Sequence, residues 1–78
     1  MSITNPCSKY KSQYQKAEET LTILKATKAE IEFNLETDSI SAVLHKELRT
    51  VNLEIKITLN ELEQAEYDIQ QCEAQLKL

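Results

Sequence analysis

The chain is 78 residues long with a net charge of −4, no glycine, no tryptophan and a single proline, Pro6. An acidic chain lacks the basic face that nucleic acid requires and is poorly matched to an anionic membrane surface. At this size there is one domain, 1–78, whose core is only marginally stabilising unless a staple, a metal or a partner helps it.

Without glycine, tight β-turns lose their usual residue, and the dominance of Leu, Ile, Glu, Lys, Gln, Ala and Thr favours long helices. Residues 1–4 read as a short arm. Asn5 followed by Pro6 reads as a helix start, with Asn5 as N-cap and proline at the first helical position. From there Cys7, Tyr10, Tyr14, Ala17, Leu21, Leu24, Ile31 and Leu35 alternate at spacings of three and four, interrupted only by Lys28. That is the a/d pattern of a heptad seam, and it predicts a first helix over about 6–36.

Glu36-Thr37-Asp38-Ser39-Ile40-Ser41 then breaks the pattern. The seam resumes at Leu44, Leu48, Val51, Ile55, Thr58, Leu62, Ala65, Ile69, Cys72 and Leu76, but one residue out of step with the first segment. A slip of one residue rotates a helical face by about 100°, so a continuous helix would turn its apolar side away. The break also holds cap-forming side chains, of which Asp38 or Ser39 is the expected N-cap. A turn over about 37–40 and a second helix over about 41–77 follow. The rival reading is one long helix in a parallel dimer.

Folding the chain between Ser39 and Ile40 supports the turn. It pairs Cys7 with Cys72, Tyr10 with Ile69, Tyr14 with Ala65, Ala17 with Leu62 and Leu24 with Ile55. Every layer joins an a position to a d position, and large residues meet small ones. The fold class is therefore all-α: an antiparallel coiled-coil hairpin, expected to assemble further into a helical bundle.

Little catalytic chemistry is implied. Cys7 and Cys72 share the layer farthest from the turn and would form a disulfide if their Cα atoms came within about 7 Å. No apolar run approaches the roughly 18 residues of a transmembrane helix and no signal-type apolar stretch follows Met1, so the expected location is cytoplasmic. There the reading favoured by composition is two small reduced residues in the seam. His45 lies at the opposite end, flanking the seam near Glu32, so the cysteines gain neither a general base nor a third metal ligand. The carboxylates Glu18, Glu19, Glu61, Glu63, Glu66 and Asp68 read as solvated helix faces. A two-helix hairpin offers no concave apolar cavity to raise a carboxylate pKa. No enzyme activity, metal or cofactor is expected.

Two features point outward. Glu47, Glu54, Glu61 and Asp68 recur every seven residues beside the seam, opposite the neutral Gln13, Thr20, Thr27 and Asn34. Such a row either solubilises the helix or receives a basic partner helix. In addition Ile23, Ala26, Phe33, Val43, Leu53, Ile57 and Leu59 fall off the seam in the turn-proximal half, with Tyr67 further along. Surplus apolar stripes imply burial against another helix.

The expected function is accordingly a small acidic helical-hairpin interaction or oligomerisation protein without catalysis. It binds itself as a homodimer or larger assembly, for example a four-helix bundle, or another helical protein, and neither nucleic acid nor membrane. The alternative is a small chaperone or adaptor that shields a helical client such as a secreted or assembly-prone subunit. An oligomerisation module cut from a longer coiled-coil protein is a third reading, against which the initial Met1 suggests a complete chain.

Overall fold

A computed structural model of the chain describes residues 7–76. Two helices carry the heptad pattern, α1 (Ser8–Thr37) and α2 (Ala42–Leu76). They pack against each other as an all-α hairpin. Thirty and thirty-five residues correspond to helices of about 45 and 52 Å, and the molecule measures 58 × 23 × 13 Å. The last dimension is one helix thick, so each helix has a single neighbour.

The chain reverses where the seam slips. Ser39 and Ile40 form the turn, and the Cys7–Cys72 layer sits at the far end. Both ends thus agree with the fold point between Ser39 and Ile40. The residues shielded from solvent are the seam residues: Cys7, Ala17, Ile31, Val51, Thr58 and Ala65 are buried, and the remaining seam members are half-buried. Leu76 is the exception, at 56% exposure. It lies beyond the Cys7–Cys72 layer, where no described residue of α1 stands opposite it. Lys28 occupies its seam position half-buried, as a lysine can when its stem lies along apolar surface and its ammonium reaches water. Thr58, the buried polar member, donates its hydroxyl to the Glu54 carbonyl at 2.8 Å. No buried side-chain polar atom among the described residues lacks a partner.

The turn is built without glycine because it needs no positive φ, and none occurs among the described residues. Asp38 leaves α1 at φ −138°, ψ 70°, and its N–H donates to the Asn34 carbonyl at 3.0 Å. The Thr37 hydroxyl donates to the same carbonyl at 3.0 Å, and the Ser41 N–H donates to the Asp38 carbonyl at 3.3 Å. The N-cap of α2 is Ser41, whose Oγ accepts the Leu44 N–H at 3.2 Å. Neither Asp38 nor Ser39 plays that part: Asp38 is used instead to close α1, and Ser39 lies within the turn. Such a cap stabilises a helix by about 1 kcal/mol. His45 is placed by the turn as well, since its Nε2–H donates to the Ser39 carbonyl at 2.7 Å. This bond fixes the ring.

At the other end the Cys7 position before α1 makes no side-chain cap bond, and the terminal turns of α1 and α2 lack a complementary charge at both ends of the hairpin. The expected N-cap Asn5 and first helical residue Pro6 lie outside the described residues. Cys7 and Cys72 are joined by a disulfide with their Cα atoms 5.7 Å apart. The reduced pair favoured by composition is not the state of this structure.

Candidate interaction surface

The candidate surface follows from the register. In each helix the c and f positions stand opposite the a/d seam. On α1 these are Ile23, Ala26 and Phe33; on α2 they are Val43, Leu53, Ile57 and Tyr67. All are exposed, with Ile23, Phe33 and Val43 at 66, 67 and 65%. The helices turn their seams toward each other, so the two stripes look outward from opposite edges of the hairpin. The expected apolar surface is therefore present in the turn-proximal half but split between two edges. Leu59, at 44% exposure, belongs to neither stripe. Its register position places it on the broad face that carries the ion pair of Lys11 with Glu73 at 3.1 Å.

The opposite broad face holds the acidic row. Glu47, Glu54 and Glu61 are exposed there and Asp68 is half-buried, with the Gln64 amide donating to Asp68 Oδ1 at 3.0 Å. Shallow grooves run along this face between the helices, among them a turn-proximal one and one nearer the open end. The turn-proximal groove, about 470 Å³, brings Val43 and Glu47 together with Thr27, Ile31 and Val51. The other, about 460 Å³, collects Glu61 and Asp68 around a floor of Ala17, Thr58 and Ala65, with Lys16 on its rim. Small seam side chains, themselves buried, form the floor of this second groove. The sequence carried that signal in Ala17, Thr58 and Ala65, but as seam members they read only as core.

Thus the structure assembles Val43 with Glu47, and Glu61 with Asp68, while Ile23, Ala26 and Phe33 share one edge and Leu53 and Ile57 the other. His45 and the cysteines stand at opposite ends. Among the described residues no group of three or more His, Cys, Asp or Glu side chains could hold a metal ion, and no helix is long and apolar enough to cross a membrane. No family model, curated protein or solved structure matches the chain.

Proposed function

We propose that this chain is a small, non-catalytic interaction protein that buries its edge stripes and acidic broad face against another helical surface. The observation that carries this reading is the exposure of Ile23, Phe33, Val43, Leu53 and Ile57, half or more open to water, in a molecule whose seam already uses the a/d positions. Isolated apolar residues on a surface are ordinary, but stripes at helical spacing are the signature of a helix that expects a further neighbour. The acidic row would set the orientation of that neighbour, since charge beside a seam governs partner choice more than affinity. A second copy of the chain, packing into a four-helix bundle, is the simplest partner. A cytoplasmic location is part of the proposal.

Sedimentation velocity on the purified chain and on a Phe33→Glu/Ile57→Glu variant tests this reading. One substitution falls on each edge and neither touches the seam. The expected result is a dimer or larger species for the wild type and a monomer of unchanged helicity for the variant. Association that survives both substitutions would contradict the assignment of the surface. A wild-type monomer would remove self-assembly and leave a different helical protein as the partner.

A further inference from the structure

The two ends of the hairpin are held by different means. At the turn, the Asp38 N–H, the Thr37 hydroxyl, the Ser41 cap and the His45 ring all close hydrogen bonds within a few residues of the reversal. At the open end the position before α1 makes no side-chain cap bond. Among the described residues one ion pair crosses there, Lys11 with Glu73, and both side chains are about half exposed, which leaves it little stabilising power. Inward of that pair a shallow groove lies over Ala17, Thr58 and Ala65, which are themselves buried. The Thr58 hydroxyl is satisfied within its own helix and adds nothing across the interface. Among the described residues the open end is held by the half-buried seam residues Tyr10, Tyr14 and Ile69 and, covalently, by the Cys7–Cys72 bond.

We propose that this disulfide is a redox clasp, whose reduction releases the open end as far as the Ala17/Thr58/Ala65 groove while the capped turn half stays paired. The inference stands on the hairpin itself and not on the interaction surface proposed above. It also bears on the cytoplasmic setting, because a reducing thiol pool works against a closed pair there.

The geometry assigns the direction of the exchange. Cys7 is 0% exposed, whereas Cys72 is half-buried and lines a small groove with Tyr10, Asp68, Gln71 and Gln75. A thiolate from a dithiol reductant therefore attacks the Cys72 sulfur. The sulfur–sulfur bond breaks with its electron pair on Cys7, which takes up a proton. The second thiolate of the reductant then attacks the mixed disulfide and expels Cys72, which is protonated in turn. Two electrons pass to the protein, and the dithiol leaves as its own disulfide. Opening would uncover Tyr10, Tyr14 and Ile69, a second apolar strip that the clasped form keeps half-buried.

Residue-by-residue carbon chemical shifts, measured on the full chain before and after dithiothreitol, test the clasp. The oxidised chain is expected to be helical over 8–76. After reduction, 8–17 and 65–76 should lose at least about half of their helical shift, while 24–35 and 44–55 keep theirs. Retention of helix at both ends, or loss in both halves together, would overturn the proposal. So would two free thiols in the aerobically purified chain. The attack order is read separately with the uncharged thiol 2-mercaptoethanol, quenched early in acid: the adduct is expected on Cys72, and an adduct mainly on Cys7 would overturn the assignment.

Discussion

Replacing Cys7 and Cys72 together with alanine is expected to lower the unfolding free energy by about 4 kcal/mol. The two residues are 65 positions apart, so the bond closes nearly the whole described chain into a loop and removes much of the entropy of the unfolded state. A single-layer hairpin has little else to offset that loss, since its buried side chains among the described residues are few and mostly small. Alanine is the informative replacement, because serine at the Cys7 position before α1 would add a capping hydroxyl and mix a second effect into the measurement. Urea titration of the oxidised wild type and the double variant measures the difference. A change under about 1 kcal/mol would show that the bond joins ends already held together by packing.

The second large effect separates two neighbours on α1. Ile31 is 6% exposed and Phe33 is 67% exposed, only two positions away. Truncating Ile31 to alanine removes buried methylenes from a seam that cannot collapse around the gap, at a cost of about 3 kcal/mol. Truncating Phe33 should change monomer stability by no more than about 0.5 kcal/mol, although Phe33 is the larger side chain. Thermal melts of both variants at low protein concentration check this contrast. Equal destabilisation would mean that Phe33 is buried within the same chain and that its edge is not free.

Why the seam was readable in advance is a matter of period. Alternation of three and four marks the buried face of a helix whatever the partner, and Cys7 through Leu35 and Leu44 through Cys72 hold it almost without interruption. The one-residue slip located the reversal, because rotation accumulates along a helix and cannot be hidden. It could not say which of several hydroxyl and carboxyl side chains caps α2. Asp38, Ser39 and Ser41 are all competent, and the choice of Ser41 depends on how the backbone leaves α1 through the Asn34 carbonyl. Nor could spacing report a bond state. Placing Cys7 opposite Cys72 makes a disulfide geometrically available, whereas its formation also requires the Cα approach of 5.7 Å that packing supplies. The apolar residues off the seam were legible one by one. Their division between two edges becomes plain only when the helices are set side by side.

The antiparallel register underlies all of this: the edges, the grooves and the clasp exist only if α1 and α2 run past each other. The most direct test is a distance between Ser12 and Tyr67, both exposed and facing outward from adjacent levels of the two helices. Spin labels introduced there through non-cysteine chemistry, in chains diluted with unlabelled protein, should report a separation of about 20–30 Å, as two neighbouring helix axes about 10 Å apart require. A continuous helix would hold the same labels roughly 80 Å apart, and a distance of that order would contradict the account.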